Sequence, residues 1–198
     1  PTLSEGLHSI TAIAKDAAEN TSTASGSLSL VIDLTPPVIT LTGANVTVAH
    51  AGTYTEPGVA ALDVVDGVIT VTPTSTINVS VVGVYTVSYS AIDAAGNSST
   101  ANRTVNVTDQ AAPTITLFGV ALVTVEAATS YLDAGASASD AVDGNVTGSM
   151  VTVNPINPNT LKQPGPYTVT YTSTDTAGNT TIATRTVIVR DKTKPEIT

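Results

Sequence analysis

Cysteine and tryptophan are absent from this 198-residue chain, and it has one phenylalanine and one methionine. Without cysteine there is no disulfide framework and no thiolate zinc site. Basic residues are scarce: seven Lys and Arg stand against sixteen Asp and Glu, for a net charge of −9. That balance excludes the basic footprint of a nucleic-acid binder. An acidic surplus suits divalent cations better than anionic lipids or polyanions. No apolar run reaches the roughly 18 residues of a membrane-spanning helix, so no membrane insertion is expected. Long helical periodicity is also missing.

What the chain has is repetition. Pro37-Val38-Ile39-Thr40-Leu41 matches Pro113-Thr114-Ile115-Thr116-Leu117. Tyr54 and Gly58 match Tyr131 and Gly135. Asp63-Val64-Val65-Asp66-Gly67 matches Asp140-Ala141-Val142-Asp143-Gly144. Gly83-Val84-Tyr85-Thr86-Val87 matches Gly165-Pro166-Tyr167-Thr168-Val169, and Asp93-Ala94-Ala95-Gly96-Asn97 matches Asp175-Thr176-Ala177-Gly178-Asn179. A copy of 75–80 residues can bury its own small core, unlike a solenoid repeat, which needs its neighbours to fold.

Within each copy, β-branched residues and tyrosine alternate with small polar residues, as at Thr86-Val87-Ser88-Tyr89-Ser90. Period-two alternation means strands with one face buried. Gly, Pro, Asn and Asp punctuate the runs at short intervals, which predicts an all-β sandwich. The first copy predicts strands at 38–41, 46–49, 58–62, 69–73, 85–92 and 99–107. The second predicts 114–118, 123–126, 134–139, 150–154, 167–174 and 181–189. The expected division is residues 1–34 as the C-terminal part of a preceding domain, 35–110 and 111–191 as full domains, and 192–198 as the start of a following repeat. In the first segment, strands are expected at 8–14 and 27–32 around a turn, Asp16-Ala17-Ala18-Glu19-Asn20, that matches 93–97. Excision from a longer array is the favoured origin of this piece, with strand exchange between copies as the alternative.

The Pro-bearing opening strand, Tyr-x-[Asp/Glu]-x-Gly, Asp-x-x-Asp-Gly, Gly-x-Tyr-x-Val and Asp-x-x-Gly-Asn together resemble the bacterial immunoglobulin-like repeats of large surface adhesins. A related repeat occurs in an insecticidal crystal protein. Both full copies carry all five elements, and the first segment departs by placing Glu19 where the others have Gly96 and Gly178. The resemblance implies tandem immunoglobulin-like β-sandwiches at a cell surface. It fits the fold far more specifically than any function.

In such a sandwich the turn before the last strand lies where the chain enters. The turn at 93–97 should then face the linker holding Asp33, with the turn at 63–67 beside it. Asp33, Asp63, Asp66 and Asp93 should converge on one joint, and Asp109, Asp140, Asp143 and Asp175 on the next. Glu56 and Asp133 are expected at the opposite ends, toward the following joint. Converging carboxylates raise one another's pKa unless a counter-charge is present, and Ca²⁺ accepts several oxygens in irregular loop geometry. Some related adhesin repeats place Ca²⁺ between domains on linker and turn acids, so the resemblance implies the same cofactor here. The competing reading is that Asp-Gly and Asp-x-x-Gly-Asn are simply good turns.

No enzyme is expected. His8 and His50 have no counterparts in the other copies, and the acids recur by copy rather than forming one unique constellation. The tyrosines occur in matched pairs and are expected in core or corner packing. Asn-x-[Ser/Thr] sequons at Asn20, Asn45, Asn78, Asn97, Asn102, Asn106, Asn145 and Asn179 would accept glycans in a secreted protein. The leading expectation is an extender segment of a secreted or cell-surface protein, partnered by neighbouring repeats and stiffened by Ca²⁺ and by its prolines. The alternatives are a module that binds surface glycans, or a self-associating surface-layer or filament subunit.

Overall fold

The computed structural model describes residues 3–195. The chain divides into two compact units, one up to Val107 and one from Thr108 on. Each is described by itself.

The first unit begins with a hairpin, β1 (Gly6–Ile10) against β2 (Leu28–Ile32). The pair is antiparallel, with Gly6 opposite Ile32 and Ile10 opposite Leu28. Among the described residues it is a two-stranded sheet of its own, and Leu7, Leu28 and Val31 stand 73%, 63% and 54% exposed. Two strands alone are marginal in water. Its turn keeps the repeat geometry: Asp16 Oδ1 accepts the Ala18 and Asn20 N–H groups, each at 2.9 Å. Glu19 adopts φ +67°, where the full copies use Gly96 and Gly178 at φ +93°. The sequence departure at this position is therefore a residue in a backbone region that favours glycine.

A sandwich follows. One sheet has the order β3 (Val38–Leu41), β5 (Val59–Asp63), β6 (Gly67–Ile69). The other has β4 (Val46–Ala49), β9 (Ser98–Thr108), β8 (Gly83–Ile92), β7 (Thr72–Ser75). Val48, Val87, Tyr89 and Val105 form its buried centre, with Ile39, Leu41, Tyr54 and Val59 packed against them.

The second unit repeats the plan. One sheet is β10 (Thr114–Leu117), β12 (Ala136–Asp140), β13 (Gly144–Asn145). The other is β11 (Leu122–Glu126), β16 (Thr180–Arg190), β15 (Gly165–Thr174), β14 (Val151–Val153). β11 runs parallel to β16, while β15 and β16 are antiparallel. The centre is Ala136, Val169, Tyr171 and Val187. The chain is all-β, as expected, and the alternation seen in sequence is the alternation of buried and exposed positions along β8 and β15.

One predicted strand is corrected. The run at 69–73 is two strands, β6 and β7, which lie in different sheets. The apolar pattern continues across the break because the chain crosses from one sheet to the other there, and alternation alone does not mark a change of partner.

Tyr85 and Tyr167 take the corner role expected of them. Each hydroxyl donates to the carbonyl four residues upstream, Val81 at 2.9 Å and Gln163 at 3.0 Å. This is the tyrosine-corner pattern of immunoglobulin-like sandwiches.

Candidate metal centre

The repeated aspartates gather at the start of each full copy. Asp33 lies in the linker before β3, Asp63 ends β5, and Asp66 follows in the β5–β6 turn. These three offer carboxylate oxygens within 4.8 Å of one another. In the second copy Asp109, Asp140 and Asp175 do the same. Two oxygens held at about 2.4 Å by one Ca²⁺ can stand no more than about 4.8 Å apart, so both sets fit that limit.

The carboxylates are aimed by their own backbone. Asp33 Oδ1 accepts the Thr35 N–H at 3.2 Å, and Asp109 Oδ1 accepts the Ala111 N–H at 3.1 Å. Asp63 Oδ1 takes the Val65 and Asp66 N–H groups at 2.7 and 3.0 Å, and Asp140 Oδ1 takes those of Val142 and Asp143 at 2.7 and 3.1 Å. One oxygen of each of these carboxylates is thus spent on a turn. Asp33 Oδ2, Asp63 Oδ2 and Asp109 Oδ2 are buried and accept no hydrogen bond. Asp63 is 4% exposed. A buried carboxylate oxygen without a donor is costly, and a turn-forming role uses only the other oxygen. These orphaned oxygens are what a hard cation would satisfy.

Electrostatics agree. The Asp33 carboxyl is pushed above its usual range, first by burial and then by the Asp63 and Asp93 charges, with Glu5 adding to them. Asp63 is held below its usual range by the Asp66 and Val65 N–H groups. One acid of the set is thus pinned in its charged form while its neighbour carries the repulsion.

Asp93 and Asp143 are not brought into these triads. Asp93 takes the Asn97 N–H on Oδ1 and the Asn97 amide on Oδ2, both at 2.8 Å. Asp143 Oδ2 accepts the Thr176 N–H at 2.7 Å, and Asp66 Oδ2 accepts that of Ala94 at the same distance. These last two bonds tie the two turns of each copy together. The two acidic triads differ in their third member, although Asn179 holds Asp175 just as Asn97 holds Asp93. In the first it is Asp66 of the Asp-Gly turn, and in the second Asp175 of the Asp-x-x-Gly-Asn turn.

Glu56 and Asp133 require a correction. They do not reach toward a following joint but turn inward to a buried arginine. Glu56 accepts the Tyr54 and Tyr89 hydroxyls on Oε2, and its Oε1 lies 3.2 Å from Arg103 Nε. Asp133 accepts the Tyr131 and Tyr171 hydroxyls and pairs with Arg185. Both arginines are 1% exposed. Sequence reasoning missed them, although Arg103 and Arg185 are an available signal: they stand in matched register, Arg103 as the one charge of β9 and Arg185 in β16, whose other charge is the terminal Arg190.

The histidines are held by backbone carbonyls, His8 by Ser4 and His50 by Ser80. Among the described residues no helix is long and apolar enough to cross a membrane.

The family described as bacterial surface protein, Ig-like domain, matches residues 39–107 and 115–189. The chain belongs to that family. An uncharacterized 81.3 kDa protein of Acholeplasma phage L2 is 33% identical over 172 residues. That match covers 80% of this chain and 23% of the phage protein, so the chain spans about a quarter of this relative. Among solved structures, a lipoprotein of Bacteroides thetaiotaomicron, BT2262, shares 24% identity with TM-score 0.36 over 42% of this chain and 40% of its own. Clostridium perfringens ZmpB, as its M60 catalytic domain with two CBM51 domains, shares 14% with TM-score 0.41 over 93% and 33%. Drosophila N-cadherin EC1-4 shares 13% with TM-score 0.36 over 93% and 57%. At these scores the structural likenesses carry no argument about what a bacterial surface Ig-like chain does.

Proposed function

We propose that this chain is an extender segment of a bacterial surface protein, a run of Ig-like modules whose joints are stiffened by Ca²⁺. The observation that carries the reading is the set of buried, donor-less oxygens of Asp33, Asp63 and Asp109 within carboxylate triads. Asp33, Asp63 and Asp66 would hold one ion and Asp109, Asp140 and Asp175 another, with Asp93 and Asp143 standing beside them. Linker and turn acids bound to one cation would lose their freedom to separate, and the joint would lose its freedom to bend. The proposed division remains 1–34, 35–110, 111–191 and 192–198, with residues 1–2 and 196–198 outside the described residues. The test is a melt and small-angle scattering, each in Ca²⁺ and in chelator. A higher melting temperature and a longer particle in Ca²⁺ support the reading, and no change in either overturns it.

A second reading, self-association through one sheet face, is favoured by a separate feature. Val38, Leu62 and Val68 sit directly opposite one another on β3, β5 and β6, at 65%, 61% and 85% exposure. The equivalent positions of the second copy are Thr114, Ser139 and Asn145. The fold therefore does not need this apolar stripe. Concentration-dependent sedimentation abolished by Leu62→Ser would select a filament or surface-layer subunit instead.

A further inference from the structure

Three linkers in this chain begin with an aspartate whose Oδ1 accepts the N–H two residues on: Asp33 from Thr35, Asp109 from Ala111, and Asp191 from Thr193. Two of them are also gripped from the module the chain is leaving. Glu5 Oε1 accepts the Leu34 N–H at 3.3 Å and the Thr35 N–H at 3.1 Å. Glu126 Oε1 accepts the Lys192 N–H at 2.6 Å and the Thr193 hydroxyl at 3.3 Å. The two glutamates come from different places in the fold. Glu5 precedes β1 and Glu126 ends β11, yet both arrive at the donors that follow the linker aspartate.

We propose that Glu5 and Glu126 are linker latches, positioning residues that direct the outgoing chain and so place the linker aspartates Asp33 and Asp191. The sequence varies in step with this role. Both latched linkers read Asp-x-Thr, as Asp33-Leu34-Thr35 and Asp191-Lys192-Thr193. The third reads Asp109-Gln110-Ala111, and the residues of the first full copy that align with Glu5 and Glu126 are Val82 and Ala49. Neither can accept a hydrogen bond through its side chain.

The latch hydrogen bonds need no metal. Their use in placing Asp33 for a cation rests on the calcium reading, and one experiment separates the two. Amide exchange of the whole chain is followed by NMR in chelator and again in Ca²⁺, for wild type, Glu5→Ala, Glu5→Gln, Glu126→Ala and Glu126→Gln. In chelator, the alanine variants should speed exchange at Leu34 and Thr35, or at Lys192, by about three- to tenfold, the worth of one or two exposed hydrogen bonds. The glutamine variants keep a carbonyl acceptor and should stay near wild type. Unchanged rates in the alanine variants overturn the latch, even if Ca²⁺ still protects the loop at 63–66. A latch effect in chelator with no Ca²⁺ protection at that loop upholds the latch and removes the cation.

Discussion

Arg185 and Asp133 are paired inside the second Ig-like copy, Nη1 to Oδ1 at 2.5 Å. The same guanidinium donates to the Tyr171 hydroxyl at 3.0 Å and to the carbonyls of Val120 at 3.1 Å and Gly135 at 3.3 Å. In the first copy Arg103 makes the corresponding bonds to the carbonyls of Thr42 at 2.8 Å, Ala44 at 2.6 Å and Gly58 at 3.1 Å. Each arginine projects from the long strand of one sheet and satisfies the loops that border the other. It does inside the sandwich the linking work that a disulfide does elsewhere, in a chain without cysteine.

Removing one partner should be severe. Arg185→Leu or Arg103→Leu strands a carboxylate and several carbonyls, and a broken buried pair costs about 3–5 kcal/mol. Urea unfolding followed by tyrosine fluorescence should show the unfolding free energy of the affected copy fall by that much, with a lower midpoint. Arg185→Met combined with Asp133→Leu should recover part of the loss, because no charge is then left unpaired.

Acid should attack the same network. Burial pushes Glu56 and Asp133 up, but the tyrosine hydroxyls, the N–H groups of Gly58 and Gly135, and Arg103 or Arg185 outweigh it and hold both acids below their usual range. The folded state thus binds these protons less readily than the unfolded one. Their contribution is present in full above the unfolded pKa, about 4, and is lost as pH falls through the lower folded value. Melting temperature should therefore drop below pH 4, and Glu56→Gln should flatten that drop. Tyr171, pushed up to about 12 by burial and by Asp133, should stay protonated through ordinary alkaline titration monitored at 295 nm.

Asp33 should show a reversal of sign. Its carboxyl is raised, so its charge is a burden on the folded state above that pKa, relieved by protonation or by a cation. Asp33→Asn keeps the oxygen that accepts the Thr35 N–H and removes the charge. In chelator at pH 7 it should leave the melting temperature unchanged or higher. In Ca²⁺ it should lower it relative to wild type. A Ca²⁺-induced rise in melting temperature as large in Asp33→Asn as in wild type would show that the aspartate is only a turn former.

The tyrosine corners should be modest and separable. Tyr85→Phe and Tyr167→Phe each delete one hydroxyl bond to a carbonyl four residues upstream. Each should cost about 1 kcal/mol in a denaturant melt, and the two losses should add because they lie in different copies.

Strand positions were legible in the sequence wherever one face of a strand is buried. The 2.0-residue period of β8, β9, β15 and β16 is written directly in Val, Tyr and Thr. The turns were legible because Asp, Asn and Gly at 93–97 and 175–179 satisfy their own backbone. Convergence of Asp33 with Asp63, and of Asp109 with Asp140, could be anticipated because the end of the sandwich at which a turn lies follows from strand direction. Which third acid joins each set could not, since Asp66 and Asp175 belong to different turns, and hydrogen bonds hold those two turns side by side in both copies. The inward course of Glu56 and Asp133 was hidden for a similar reason. Two residues after a tyrosine, a carboxylate can point to either side of the chain, and only the packing of Arg103 and Arg185 beneath the loops selects one. Local pattern determined the strands, the turns and the tandem plan, because those depend on near neighbours along the chain. The arginine networks, the membership of each carboxylate triad and the two linker latches were decided by tertiary structure, because each includes residues far apart along the chain, as far as Glu126 and Thr193.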